Sequence, residues 1–324
     1  MSDGYSRQEK MDQIREKLEN GVKEIFTSEK YKDYINAMSK FPNYSVNNCI
    51  LIASQLPQAS LVCGYRKWQT DFNRTVNKGE SGIMIMAPIK GKKTLEEEVL
   101  DEDGRPILSS DGSVQTEKVT KNYQTFRPAY VFDVSQTSGD PIPTLATMLT
   151  GDVESFDMLK EALIRASPVP IVFQPVSGTA NGYYSPSEMK IVVDEDLSQK
   201  QMIKTMIHEM GHASLGHGSE DDKWDRKTKE VQAESVAYWV SQILGIDTSD
   251  YSFGYISGWS QDKEATDLRE NLGIIKETAE KLSSQIEENL LKIQEEIRDE
   301  SKEKANEPAA EEEQEQVQVR RRCR

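Results

Sequence analysis

Only three histidines occur in this chain, and two of them bracket a glutamate in His208-Glu209-Met210-Gly211-His212. The H-E-x-x-H spacing is useful only on a helix, where residues four apart share one face and two imidazoles converge on a single zinc ion with Glu209 beside them. The surrounding sequence supplies that helix. Ser198-Gln199-Lys200-Gln201 reads as a capping box. From there a helix is expected to run to about Ser214, with Met202, Ile203, Met206, Ile207 and Met210 forming its apolar stripe. At 100° per residue His208 and His212 fall on the opposite side, so one face packs and the other holds metal.

A protein zinc site needs a third ligand, and a catalytic one keeps a fourth position for water. The candidates lie in Glu230-Val231-Gln232-Ala233-Glu234-Ser235-Val236-Ala237, a second helical pattern. Glu230 and Glu234 are four apart and can both face the first helix, while Ala233 and Ala237 let the two backbones come close. Glu230 is assigned to the metal and Glu234 to the place behind it, orienting a ligand histidine, with the reverse assignment left open. His217, five residues past His212, is off the ligand face if the helix continues and reads as a helix-end or rim residue, with a transition-state role as the alternative. Tyr183 and Tyr184 read as packing residues before a strand rather than as oxyanion donors.

The E-x-x-A-E-x-x-A pattern following H-E-x-G-H resembles gluzincin-type metallopeptidase domains, including the ImmA/IrrE-like ones. The resemblance implies that Lys190 to Asp194 is the strand leading to the active-site helix, and that the first Glu of the pattern binds zinc while the second supports it. It also implies that Glu209 is the catalytic base, taking a proton from water as it attacks a polarised carbonyl. The cofactor expected is one Zn2+ per chain. The alternative is a structural metal or an inactive domain.

A chain of 324 residues is long enough for two cores. The net charge of -15 excludes a uniformly basic coat for nucleic acid. Cys49, Cys63 and Cys323 are too few and too scattered for a disulfide framework. No leader-like apolar segment opens the chain and no stretch of about eighteen apolar residues occurs, so a cytoplasmic protein without a membrane partner is expected. One amphipathic helical pattern covers Ser6 to Ser39. Strand-like runs follow at Ser60 to Tyr65, Gly82 to Ile89 and Ala129 to Val134. A polar excursion from Gly91 to Tyr123, containing Asp103-Gly104 and Asp111-Gly112, reads as a mobile hairpin or a partly disordered insert. Gly139-Asp140-Pro141-Ile142-Pro143 marks a domain boundary. A long amphipathic helix is expected over about 261–304, either self-associating as a coiled coil or folding back on the protein. An acidic tail over 305–324 ends in Arg320-Arg321-Arg322-Cys323-Arg324.

Between Lys30 and Lys93 ten basic residues stand against Asp33, Asp71 and Glu80, and Tyr44, Tyr65, Trp68 and Phe72 lie among them. Cations alternating with flat side chains suit unpaired bases, although the same aromatics can fill a small core. Tyr44-Ser45-Val46-Asn47-Asn48, Gln55-Leu56-Pro57, Gly64-Tyr65-Arg66-Lys67-Trp68, Lys78-Gly79-Glu80-Ser81-Gly82-Ile83 and Val131-Phe132-Asp133-Val134-Ser135-Gln136-Thr137 follow one another in order. Together they resemble the N-terminal single-stranded-DNA-binding domain of ArdC-type antirestriction proteins. Such proteins pair that domain with a metallopeptidase-like one and occur on conjugative plasmids and related mobile elements.

The resemblance implies an α+β chain of two domains. Residues 1–140 form the DNA-binding module with its insert at about 91–123, and residues 144–260 form a zincin-like metallopeptidase domain, with the long helix and charged tail beyond. It implies DNA contacts at Asn47, Asn48, Arg66, Lys67, Trp68, Arg74 and Lys78: cations on phosphates, Trp68 stacking on a base, asparagines on phosphate or base edges. The function expected is antirestriction, the protection of incoming single-stranded DNA. The alternative is a regulatory zinc protease that cleaves a repressor or another partner protein.

Overall fold

The computed structural model describes residues 6–26, 28–101, 104–109, 112–142, 153–248, 251 and 253–306. Pro143, Asp103, Asp111 and residues 307–324, with the arginine-rich end, lie outside them. The chain is mixed α and β, and it divides into two compact units, Met1–Glu24 with Asn47–Pro141, and Ile25–Val46 with Ile142–Arg324.

In the first unit, helices α1 (Arg7–Ile25), α3 (Val46–Gln55) and α4 (Tyr65–Phe72) accompany strands β1 (Val62–Gly64), β3 (Ile83–Glu98) and β4 (Thr116–Asp133) in the order β1-β4-β3. A second, two-stranded sheet pairs β2 (Arg74–Val76) with β5 (Thr137–Gly139). Ile14 of α1, Leu51 of α3 and Met84 of β3 form a buried cluster. The polar excursion is a hairpin, as one of the two expectations had it: its sides, 91–98 and 116–123, extend the antiparallel β3–β4 ladder that runs from Ile83 opposite Val131 to Glu98 opposite Thr116. Cross-strand pairs explain why polar residues suffice there: Lys121 bridges Glu97 and the Tyr123 ring covers Gly91, where a Cβ would stand 2.6 Å from it.

Asp133 ties the end of β4 to its surroundings. Buried at 1% exposure, it accepts from the Ser60 and Leu61 N–H groups (2.8 and 3.0 Å) and from Ser135 N–H and Oγ (3.0 and 2.7 Å). Burial works to raise its pKa, but these donors together hold it below the ordinary carboxylate value.

In the second unit, α6 (Gln199–Ser214) and α7 (Arg226–Ile243) lie side by side. Ser198 caps α6 with half of the expected box: its hydroxyl accepts from the Gln201 N–H and donates to the Gln201 side-chain oxygen (2.8 Å). Ahead of α6 sit strands β6 (Ile171–Phe173), β7 (Gly182–Ser185) and β8 (Lys190–Val193) in the order β6-β8-β7, with β7 antiparallel at the edge. The single amphipathic pattern read over Ser6 to Ser39 is two helices, and α2 (Ser28–Lys40) packs in this second unit, with Tyr31, Tyr34, Ile35 and Met38 buried. Period alone reveals an apolar stripe, not which partner covers it.

Helix α9 (Ala265–Asn306) packs along α5 (Val153–Ala166) and α7 and buries Leu268, Leu272, Ile275, Ala279, Leu282 and Ile286. Each Leu or Ile so covered contributes about 1.5–3 kcal/mol of transfer free energy, which a solvated single helix would forgo. The stripe is therefore consumed within the chain. Arg165 and Glu296 close it as a two-bond pair at 2.8 and 3.0 Å. Among the described residues no helix is long and apolar enough to cross a membrane.

Replacing Asp133 by Asn turns an acceptor into a donor facing two N–H groups, and a loss of about 1–3 kcal/mol is expected in urea unfolding at neutral pH. The folded pKa is depressed, so the carboxylate's contribution is complete above the unfolded value and is lost as pH falls through the folded one. The gap between wild type and Asp133→Asn should thus narrow below about pH 4.

Candidate metal centre

The site is built where α6 meets α7. Gly211 lies against Ala233, and a Cβ on Gly211 would stand 3.3 Å from the Ala233 carbonyl oxygen, so the glycine inside the H-E-x-x-H motif lets the helices approach. Across that approach His208 Nε2 and His212 Nε2 are 3.2 Å apart, and Glu230 Oε2 is 3.8 Å from the first and 3.9 Å from the second. Two ligands about 2.1 Å from one ion at tetrahedral angles stand about 3.4 Å apart, so the three atoms fit a divalent cation with little adjustment. Glu230 is half exposed, leaving the centre open on one side.

Each histidine is held from behind. His208 Nδ1 is 3.0 Å from Glu234 Oε2, and His212 Nδ1 is 2.8 Å from His217 Nδ1. Glu230 therefore stands with the metal-facing nitrogens and Glu234 behind His208. Protonation differs between the two rings. Burial works to lower the pKa of His208, but the Glu234 hydrogen bond and the carboxylates of Glu209, Glu234 and Glu230 raise it on balance. His212 has no carboxylate at its back, and burial, with repulsion from His208, His217 and Lys229, lowers it to about 3. A neutral His212 is the form that binds metal.

Glu209 is buried and its pKa is raised, first by burial, against the pull of His208 and of the Tyr184 backbone N–H. A carboxylate tuned upward is suited to taking a proton near neutral pH. Two cavities flank the centre. One, of about 290 Å³, is lined by Asn181, Gly182, Lys204, His208, Glu209 and Glu234. The other, of about 790 Å³, is lined by Glu230, Glu234, Arg226, Tyr255 and Trp259. Burial and the neighbouring Glu234 and Glu230 raise the Tyr255 pKa, which keeps its hydroxyl a donor. Neither Tyr183 nor Tyr184 lines these cavities.

His217 stands at the helix end, as expected, but not on the rim. It is 4% exposed, and its Nε2 lies 2.9 Å from Gln232 Oε1. It is buried rather than on the rim because the helix stops at Ser214 in a Schellman cap: Gly216 takes φ 67°, its N–H bonds the Ala213 carbonyl, and the His217 N–H bonds the His212 carbonyl at 3.1 Å. Gly216 and Gly218 on either side of His217 were the signal.

In the first unit the seven proposed DNA contacts separate. Asn47, Arg66, Lys67 and Lys78 are exposed. Trp68 is wholly buried, donates Nε1–H to the Phe132 carbonyl at 2.9 Å and packs on Phe72, so it has no face for a base. Trp68 and Phe72 are four apart on α4 and form its inner side, while Tyr65, 49% exposed, is the aromatic on the outside. Asn48 is buried and spends its amide on β3, donating to the Met86 carbonyl (3.0 Å) and accepting from the Met86 N–H (2.9 Å). The Arg74 guanidinium is engaged by Thr137 Oγ1 and carbonyl (2.8 Å each) and by the Gly139 carbonyl (3.2 Å). Those three residues hold the fold together.

Fold and site define a mixed α/β protein with a two-histidine, one-carboxylate centre on facing helices. Residues 5–132 match the family described as the N-terminal domain of anti-restriction factor ArdC. Over those residues the chain carries an ArdC-type N-terminal domain. It is 27% identical over 318 residues to an uncharacterized protein of Bacillus anthracis, pXO2-81, covering 89% of this chain and 53% of that one. The chain thus spans about half the length of the curated relative it matches. Among solved structures it is similar to the antirestriction ArdC protein from the R388 plasmid, metal-free (TM-score 0.44, 21% identity, 76% of this chain, 86% of that one). The Mn(II)-bound form of that protein is similar too (TM-score 0.44, 20% identity, 78% and 91%).

Glu234→Gln should weaken Zn2+ or Mn2+ binding about 10- to 100-fold in calorimetric titration, the usual effect of losing a ligand's orienting partner. Glu230→Gln should weaken it further. Equal and negligible effects would remove Glu230 from the centre.

Proposed function

We propose that this chain is a DNA-protecting antirestriction protein that binds single-stranded DNA through its first unit and carries, in its second, a zincin-like peptidase site loaded with zinc. The observation that carries the second half is the convergence of His208 Nε2, His212 Nε2 and Glu230 Oε2, with Glu209 on the same helix turning into the adjoining cavity. A divalent cation held there supplies Lewis-acid polarisation of a carbonyl and lowers the pKa of water. The chain's own residues do the rest. Glu234 and His217 hold the imidazoles, Glu209 accepts a proton and returns it to the leaving amine, and Tyr255 offers a hydroxyl from the second cavity.

For the DNA half, the support is the exposed group of Tyr65, Arg66 and Lys67 on α4, with Asn47 and Lys78 also exposed, in a unit of the ArdC N-terminal family. The cations neutralise phosphates and Tyr65 replaces Trp68 as the stacking surface. The setting is the cytoplasm of a cell receiving a mobile element as a single strand.

Glu209→Gln should lower peptide hydrolysis by about 10²–10⁴-fold, scored by mass spectrometry on a peptide library, with metal and DNA still bound. If protection of DNA from restriction is untouched by the change, the peptidase has a separate purpose, and a regulatory protease acting on a repressor or partner becomes the better reading. In anisotropy titrations single strands should bind more tightly than duplex, and replacing Arg66, Lys67 and Lys78 by alanine should flatten the log-affinity against log-salt slope by about 0.7 per cation. Equal affinity for both forms of DNA would end the single-strand reading.

A further inference from the structure

Behind His212 runs a buried polar chain that continues past His217 to residues the proposed peptidase chemistry does not use. His212 Nδ1 faces His217 Nδ1 at 2.8 Å, His217 Nε2 faces Gln232 Oε1 at 2.9 Å, and Gln232 Nε2 donates to Asn271 Oδ1 at 2.8 Å. Asn271 Nδ2 in turn donates to the backbone carbonyl of Asp267 at 2.8 Å. Gln232 and Asn271 are 0% and 1% exposed, so water does not compete for these bonds.

The last link has only one polarity, because a backbone carbonyl can only accept. Asn271 must therefore present its amide nitrogen to Asp267 and its oxygen to Gln232. Gln232 must then give its nitrogen to Asn271 and turn its oxygen to His217. That oxygen requires a hydrogen on His217 Nε2, which in a neutral ring leaves Nδ1 as a lone pair. His212 must supply the hydrogen at the next link from Nδ1, and its own lone pair is left on Nε2, the atom that stands 3.2 Å from His208 Nε2 and 3.9 Å from Glu230 Oε2. Reversing any one amide reverses everything downstream and places a hydrogen on His212 Nε2, where a metal cannot bind.

We infer that His217, Gln232 and Asn271 are positioning residues that fix His212 as its Nδ1–H tautomer, and that the docked C-terminal helix α9, through Asn271, sets the metal affinity of a centre on α6 and α7. This rests on the reading of His212 as a metal ligand. His208 needs no such relay, since a carboxylate directly behind it can only accept. His212 has a histidine behind it, which can donate or accept, and the ambiguity is resolved three residues away. The Schellman cap at Gly216 brings His217 back against His212, and the burial of Leu268, Leu272 and Ile275 holds Asn271 against Gln232.

The test needs no metal. With three histidines in the chain, nitrogen and carbon NMR of the metal-free, histidine-labelled protein near pH 7 resolves each ring. Hydrogen on Nδ1 of His212 and on Nε2 of His217 is expected, and hydrogen on Nε2 of His212 overturns the inference. Asn271→Leu should leave helicity by circular dichroism unchanged, give mixed tautomers for both rings and weaken Zn2+ binding about 10- to 100-fold. Unchanged tautomers and affinity in that variant also overturn it. Should Asn271→Leu not fold, the wild-type tautomers decide alone. Should the wild type bind neither Zn2+ nor Mn2+, the metal reading falls while the tautomers still judge the relay.

Discussion

The close approach of α6 to α7 at Gly211 is the constraint on which the second unit depends. Gly211 lies between Glu209 and His212 in sequence, and the Ala233 backbone sits where a side chain on it would go. A larger residue would push apart the two surfaces that carry the histidines and Glu230, and with imidazole and carboxylate atoms already 3.8 and 3.9 Å apart, a separation of about 1 Å would leave any ion badly held. The motif thus encodes both the ligands and the space in which the third ligand reaches them. The same approach brings Glu234 and Gln232, on neighbouring parts of α7, behind the two histidines.

The two histidines solve one electrostatic problem differently. Lone pairs on both Nε2 atoms point at one spot, an arrangement that favours a cation and is poor without one. At His208 a carboxylate stands behind the ring, supports positive charge on it and raises its pKa. Behind His212 stands another imidazole rather than a carboxylate, and burial, with repulsion from His208, His217 and Lys229, lowers its pKa to about 3. A centre with one carboxylate-backed and one neutrally backed imidazole carries less negative charge than one with two carboxylates. It also draws its order from hydrogen bonding rather than from charge, and a hydrogen-bond chain is only as good as the packing that holds its far end.

That difference explains what could be read from the sequence. That His208 shares a helix face with His212, and Glu230 with Glu234, follows from spacing because each helical interval is local, and the Ser198 cap and the end at Ser214 follow from the same local rules. His217 is legible as a helix-end residue, but not its burial behind His212, because a helical interval does not describe the chain past Gly216, where it leaves the helix. Asn271 could not be found at all: it lies 39 positions from Gln232, and only the docking of α9 brings them together. The first unit repeats the pattern. Arg66 and Lys67 are outward by composition and period, whereas Trp68 and Asn48, read as DNA contacts from motif order, are buried because a motif shared along a family marks what the fold requires as readily as what a ligand touches. The assignment of residues 25–46 to the second unit is of the same kind, since the α2 stripe looks identical whichever core covers it.

Charge is the last quantity in which local and global readings diverge. A net -15 spread evenly would repel a polyanion, but screening limits what a phosphate feels to about 8–10 Å at physiological ionic strength. Within that distance the composition of a face matters and the total does not. The excess of carboxylates lies outside the window from Lys30 to Lys93, part of it in α9, while that window is basic. Lys30, Lys32 and Lys40 of that window belong to the second unit, so the basic face of the first is smaller than the sequence count suggests and rests on α4, Lys78 and the lysines of β3. For the single-strand binding proposed above, a smaller set of cations would neutralise fewer phosphates, which would make the stacking surface of Tyr65 a larger share of the affinity for unpaired bases and little use against a closed duplex.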